Sequence, residues 1–291
     1  MKRRNFIGTA LKLAGGAALG FDMLSTRGDR ASVMNDSFLN NLNGFGEKTL
    51  YIERTCTDYD FDYHGAVEKL HRLRKVFHEK YKPDIGPENL PVIYNILKDK
   101  PFNFVFNPDD ADILMLSEGF KKNALDCDTS SYLYLDLADI EGMWLYGVRC
   151  RGKSESHFYV RYIDKDGNQF NFQSNGGFFG APTKDVNEYT QKELSNGIFD
   201  LPLSNDQLLA NIYFKVGVYW DNKKNYKTAA RFFKKATELD DLNMPAFYRL
   251  SLCLSDMGKY REAIQAAERS TLGGREGYVN HYRDLKAARP L

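Results

Sequence analysis

A cysteine, a histidine and two amides are spaced along the middle of the chain so that three successive elements could bring them together. Cys127 opens an apolar run, His157 opens a strand-like run thirty residues later, and Asn171 and Gln173 lie on the next such run. A thiol at a helix N-terminus meets the helix dipole and unsatisfied backbone N–H groups, which favour thiolate and can hold an oxyanion. A neighbouring histidine can take the thiol proton, and a third side chain can fix the imidazole tautomer. The pattern predicts nucleophilic chemistry at Cys127.

The surroundings of the cysteine leave two points open. Asn171 and Gln173 are two residues apart on one strand face, so either could orient His157. Asp126 and Asp128 flank the thiol, and their charge raises its pKa against the effect of the helix dipole. A buried structural cysteine is the ordinary alternative, because a lone cysteine among apolar residues usually packs as a small hydrophobe.

The elements that must position these residues follow from hydrophobic periodicity. After an irregular or short-helical lead-in over 35–57, the apolar spacing predicts helices over 62–81, 87–98 and 108–120, with a central helix after Cys127. The predicted antiparallel strands are 143–150, 157–163 and 169–174. Asp164 to Asn168 fits a hairpin turn better than a calcium loop, because no distal glutamate follows at ligand spacing.

The C-terminal third has an internal period of 34 residues. Five positions recur with the same residue type or size: Tyr213, Gly217, Tyr226, Ala229 and Ala236 match Phe247, Ser251, Tyr260, Ala263 and Ser270. This period is that of tetratricopeptide repeats, and a further helix from about 275 to 288 is expected to cap the second repeat. Because two repeats rarely stand alone, we expect them to pack on the layer that carries Cys127.

The first residues are typical of an export signal. Lys2, Arg3 and Arg4 precede a short apolar stretch, and the paired arginines followed by Phe6 and Ile7 resemble a twin-arginine signal. The predicted domains are an export signal with linker over 1–34, a domain over 35–203 that carries Cys127, and repeats with their capping helix over 204–291. We expect a periplasmic or secreted protein that meets the membrane only through the signal, and that is anchored there if the signal stays uncleaved.

The composition limits the classes of partner and ligand that the chain is expected to bind. Lys plus Arg number 40 and Asp plus Glu 39, so no excess of positive charge is available for nucleic acid. His64, His71 and His78 recur at a spacing too wide to share one metal ion, and we predict neither metal nor cofactor. Four cysteines are too few for a disulfide scaffold, although an oxidising compartment would allow one bond such as Cys56 with Cys150.

The motifs around Cys127 and His157 resemble those of bacterial proteins in which a transglutaminase-like core precedes tetratricopeptide repeats. The resemblance covers about 109–177 and 207–270 and is sharpest over 125–138 and 156–161. It implies an α+β fold, with a papain-like core of central helix and antiparallel sheet followed by an all-α repeat domain. It also implies a Cys-His-Asp or Cys-His-Asn triad, whereas this chain has Gln173 at the usual acid position.

Two functions fit these observations. The first is an exported cysteine hydrolase, acting as peptidase or amidohydrolase or as acyl transferase, that uses Cys127, His157 and Asn171 or Gln173, with repeats that bind protein or peptide. The second is a catalytically inactive core that serves as a scaffold for a peptide or protein partner. Hydrolysis is favoured over transfer, because nothing visible excludes water.

Overall fold

The computed structural model of the chain describes residues 39–106, 113–151, 156–180, 198 and 200–288. The predicted export signal over 1–34 lies outside these residues. The fold combines helices with an antiparallel sheet and ends in a helical region, so the α+β class is confirmed. The described residues contain no helix long and apolar enough to cross a membrane.

The N-terminal part consists of helices around a central helix and a sheet. The helices are α1 (Gly44–Cys56), α2 (Tyr63–Lys80), α3 (Asn89–Lys98), α4 (Leu116–Lys122) and α5 (Cys127–Ile140), with a 3₁₀ helix over Pro83–Glu88. The strands are β1 (Val105–Phe106), β2 (Ala124–Leu125), β3 (Leu145–Arg151), β4 (Ser156–Ile163), β5 (Gln169–Gln173) and β6 (Phe178–Phe179).

Two predicted elements were wrong in extent. The lead-in contains α1, a regular helix whose Leu50 and Ile52 are fully buried. The helix predicted over 108–120 begins only at Leu116, because the extended backbone of Met115 precedes it and Glu118 accepts hydrogen bonds from the two preceding backbone N–H groups. Residues 108–112 of the predicted helix lie outside the described residues.

The central helix packs on one face of the sheet. Strands β3, β4, β5 and β6 pair in that order, each antiparallel to its neighbour. Phe158, Val160 and Phe172 are fully buried against apolar residues of α5 such as Leu133. The β4–β5 turn is closed by Asp164, which accepts hydrogen bonds from two backbone N–H groups of the turn, so the predicted hairpin is confirmed.

The C-terminal region consists of paired helices with the predicted 34-residue offset. The helices are α6 (Asn205–Asn222), α7 (Tyr226–Leu239), α8 (Met244–Asp256), α9 (Tyr260–Ser270) and α10 (Glu276–Ala288). Tyr226 and Tyr260 open the second helix of each pair. Gly217 allows the first pair to approach closely, since a Cβ there would lie 2.6 Å from the Phe233 ring. The predicted helical hairpins and the further helix expected after them are present in the structure.

Charged and apolar contacts join the repeats to the N-terminal part. The Arg149 guanidinium of β3 pairs with the Asp240 carboxylate after α7 at 2.5 Å, and both side chains are almost completely buried. Ile52 and Tyr132 pack in the same apolar cluster as the repeat residue Phe233. The expectation that the repeats pack on the other layer is confirmed, and α1 lies at their junction.

Glu53 is a buried acid whose ionisation should make stability depend on pH. Its two oxygens accept hydrogen bonds of 2.8 Å from the backbone N–H groups of Leu116 and Ser117 at the start of α4. Burial outweighs these bonds and raises the pKa of the carboxyl to about 7. As pH rises from about 4.5, the unfolded chain ionises first, so the stabilising contribution of Glu53 is lost progressively up to about pH 7.

We therefore expect the free energy of unfolding of the wild type to fall by up to about 3 kcal/mol relative to Glu53→Gln between pH 4.5 and 8. Urea unfolding at a series of pH values measures this difference. Glu68→Gln on the exposed face of α2 is the matched control. Parallel pH curves for the wild type and Glu53→Gln would contradict the prediction.

Candidate functional site

Helix α5 begins at Cys127 because Asp126 caps it. The Asp126 carboxylate accepts hydrogen bonds from the backbone N–H of Thr129 at 2.7 Å and from its hydroxyl at 2.6 Å. The Thr129 hydroxyl oxygen in turn accepts from the backbone N–H of Asp126 at 3.0 Å. This reciprocal cap fixes where the helix starts. Cys127 therefore occupies the first helical position, as its sequence context predicted.

Serine hydroxyls tie the first turn of α5 to the end of β5. The Ser174 hydroxyl lies 2.8 Å from the hydroxyls of both Ser130 and Ser131. All three hydroxyl oxygens also lie within 2.7 to 3.3 Å of the backbone carbonyl oxygen of Cys127. These bonds hold the thiol-bearing turn in a fixed position relative to the sheet. The sequence pattern did not single out Ser174, although it directly follows Gln173.

The Cys127 thiol is partly buried and faces carboxylates. Its sulfur lies 3.7 Å from the Asp128 Oδ1 atom, to which the thiol donates. Burial, then Asp128, then Asp126 raise the pKa of Cys127 well above its ordinary value, against the lowering effect of Lys215 and of the Phe158 backbone N–H. Burial and the two flanking carboxylates therefore keep the thiol protonated at rest.

The backbone of β4 brings position 157 beside this thiol. The Phe158 backbone N–H interacts with the Cys127 sulfur, and His157 directly precedes Phe158. The His157 backbone pairs with Cys150 of β3. The His157 side chain lies outside what the structure describes. The start of α5 and the start of β4 thus meet, as the predicted order of elements requires.

Asn171 and Gln173 have different surroundings. The Asn171 side-chain oxygen accepts a 2.7 Å hydrogen bond from Arg161, whose guanidinium also pairs with Asp200. Gln173 is buried near the end of β5, and its amide nitrogen donates to the Gly180 carbonyl at 3.3 Å. Because an orienting amide must offer its oxygen to the imidazole, the contact with Arg161 makes Asn171 the weaker candidate.

Lys215 is the site residue that the motifs missed. It lies on α6, the first repeat helix, and its ammonium pairs with the Asp128 carboxylate beside the thiol. The Asn211 amide, one turn earlier, donates to the buried Tyr132 hydroxyl of α5 at 2.7 Å. A lysine within an otherwise apolar stretch, Ile212 to Val218, was the available signal.

The cysteines and the histidines of α2 show neither a disulfide nor a metal site within the described residues. All four cysteines lie in the described part of the chain and are thiols, so the suggested bond between Cys56 and Cys150 is not formed. His64, His71 and His78 are exposed along α2. Within the described ranges, no group of three or more acidic, histidine or cysteine side chains is arranged to hold a metal ion.

Comparison with known proteins identifies the repeats. A family model for the tetratricopeptide repeat matches residues 245–271, which span most of α8 and α9. Such repeats are generally protein-interaction modules. No family match supports the transglutaminase-like resemblance of the N-terminal part. No curated protein and no solved structure matches the chain significantly.

Proposed function

We propose that the chain is an exported thiol-dependent amide hydrolase or acyl transferase with a transglutaminase-like core and repeats that bind a protein or peptide. The observation that carries this proposal is that Cys127 begins α5, which packs against β4, and that His157 is the second residue of β4. A helix-mouth thiol and a strand-mouth histidine are the two parts that a cysteine nucleophile and its base require.

In the proposed reaction the His157 imidazole removes the Cys127 proton as the sulfur attacks the amide carbonyl carbon. Backbone N–H groups at the start of α5 hold the oxyanion. The imidazolium then gives its proton to the departing amine, which leaves a thioester. Water attacks the thioester in hydrolysis, or an amine does so in transfer, and the thiol is regenerated. Because Cys127 is neutral at rest, deprotonation accompanies attack instead of preceding it.

The third member of the proposed site is Gln173. Its oxygen would accept a hydrogen bond from the imidazole and fix the tautomer, but an amide lends no charge to imidazolium. The periplasmic or secreted location belongs to the proposal and is tested by fractionation of the wild type against Arg3→Lys/Arg4→Lys. Accumulation of both forms in the same compartment would refute that location.

The proposal predicts that iodoacetamide labels Cys127 about ten-fold more slowly when His157 is replaced by Ala, because the thiol loses its base. Peptide mass spectrometry measures labelling at this residue separately from the buried Cys150 and Cys253. His78→Ala, which removes an exposed histidine of α2, is the matched control. Equal labelling rates in wild type and His157→Ala would refute an activated pair.

An inactive scaffold is the second candidate, and the high pKa of Cys127 favours it. This alternative predicts that Cys127→Ser cells behave like the wild type, whereas changes on the repeat surface abolish function. A Cys127→Ser strain that behaves like a deletion strain would exclude the scaffold. The two candidates share the role of the repeats in holding a protein partner.

A further inference from the structure

Lys215 connects the repeats to the thiol through one carboxylate. Its ammonium contacts the Oδ2 atom of Asp128, while the Cys127 thiol donates to the Oδ1 atom of the same residue. The Lys215 side chain is 19% exposed and the Asp128 side chain 6% exposed, so water screens this pair weakly. The charge of a repeat-helix residue therefore acts directly on the candidate nucleophile.

The charges that face the thiol come from three elements. Helix α5 and its N-cap contribute the Asp128 and Asp126 carboxylates, β4 contributes the Phe158 backbone N–H, and α6 contributes the Lys215 ammonium. Burial alone would lower the pKa of Lys215, but Asp128 and Asp126 hold it well above its ordinary value. Lys215 is therefore protonated throughout the neutral range and offsets one of two negative charges.

We infer that Lys215 is a positioning residue of the thiol site, which holds Asp128 and neutralises its charge so that Cys127 can lose its proton. This inference rests on the proposed thiol function, since it concerns how that nucleophile ionises. It also means that the repeats supply part of the site, in addition to any partner that they bind. Without the ammonium, the sulfur would develop negative charge beside an Asp128 carboxylate that has lost its counterion.

The test is the pH dependence of iodoacetamide alkylation at Cys127 in the full chain. Lys215→Met should raise the midpoint of the alkylation profile by about one pH unit, which lowers the rate at pH 8 about ten-fold. Lys215→Arg keeps the charge and should restore a midpoint close to that of the wild type. Asp128→Asn should move the midpoint in the opposite direction, because it removes a negative charge beside the sulfur.

A misfolded variant would give a different result. Loss of structure would release the thiol from burial and lower its midpoint towards the ordinary cysteine value, opposite to the rise expected for Lys215→Met. Circular dichroism of each variant checks the fold independently. Lys223→Met is the matched control, because Lys223 is the C-cap of the same helix, eight residues after Lys215, and pairs with the exposed Asp58.

An unchanged midpoint in folded Lys215→Met would overturn the inference, and so would an equal shift in Lys223→Met. These outcomes are distinguishable from failure of the proposed function. If His157→Ala slows labelling but Lys215→Met does not change the midpoint, the result supports the Cys127–His157 pair and contradicts the positioning role of Lys215. If His157→Ala has no effect while Lys215→Met raises the midpoint, Lys215 controls the thiol but the proposed base is wrong.

Discussion

Arg149→Met is expected to lower the free energy of unfolding by about 3–5 kcal/mol, because it leaves a buried carboxylate without its charged partner. The Arg149 side chain is 2% exposed and that of Asp240 is 0% exposed. Asp240 also accepts a hydrogen bond from the Leu242 backbone N–H, and the Arg149 guanidinium donates to the Leu242 carbonyl. Removing the guanidinium therefore removes the ion pair of the Asp240 carboxylate and the hydrogen bond to the Leu242 carbonyl in the turn after α7.

Urea unfolding followed by far-ultraviolet circular dichroism measures this loss. Arg149→Met/Asp240→Asn removes both charges and should be more stable than Arg149→Met alone, since the isolated buried charge is gone. Arg72→Met on the exposed face of α2 is the control for loss of an arginine. A loss below about 1 kcal/mol in Arg149→Met would place this pair with weak surface salt bridges and contradict the prediction.

Phe233→Ala is expected to destabilise the protein by about 3–5 kcal/mol through the cavity that it leaves. Phe233 is fully buried, lies against the bare backbone of Gly217, and contacts the Phe214 ring with a centroid distance of 5.7 Å. Gly217 has no side chain that could move into the space. The repeat pair therefore cannot refill the cavity without moving α6 or α7.

This substitution also tests whether the two layers unfold together. Phe233 belongs to the same apolar cluster as Ile52 of α1 and Tyr132 of α5. We expect Phe233→Ala to shift helix loss and the thiol exposure of Cys150 in β3 to the same lower urea concentration. Lys234→Ala, at the exposed neighbouring position, is the control. Two separate transitions would show that the repeats unfold independently.

The predictions that succeeded rest on local patterns. The 34-residue period placed Tyr226 and Tyr260 at equivalent helix starts, and the apolar run after Cys127 located the central helix. A repeat period and a helix cap depend on the spacing of residues along the chain, so both can be recognised in a single sequence. The start of α4 was missed because its cap depends on Glu118 binding back to the preceding backbone and on the distant Glu53.

The contacts between layers could not be predicted in the same way. Arg149 and Asp240 are 91 residues apart, and neither lies in a sequence motif that would predict the other as its partner. Lys215 likewise lies far along the chain from Asp128. Such pairs are selected by the docking of whole elements, which a periodicity argument does not determine. The sequence therefore predicted the candidate nucleophile and the order of the strands, but it did not predict the charged groups that surround the site.

The junction between α1 and the repeats also contains a spectroscopic reporter. The Trp220 indole N–H donates to the Cys56 carbonyl at 2.8 Å and its ring packs in the shared cluster, whereas Trp144, the other tryptophan, is 45% exposed. Separation of the layers would wet the Trp220 indole and red-shift its fluorescence, while Trp144 would change little. Tryptophan fluorescence of the unlabelled chain therefore reports, in real time, whether the repeats are docked on the N-terminal part. It would also report any loosening of this interface when a protein partner binds.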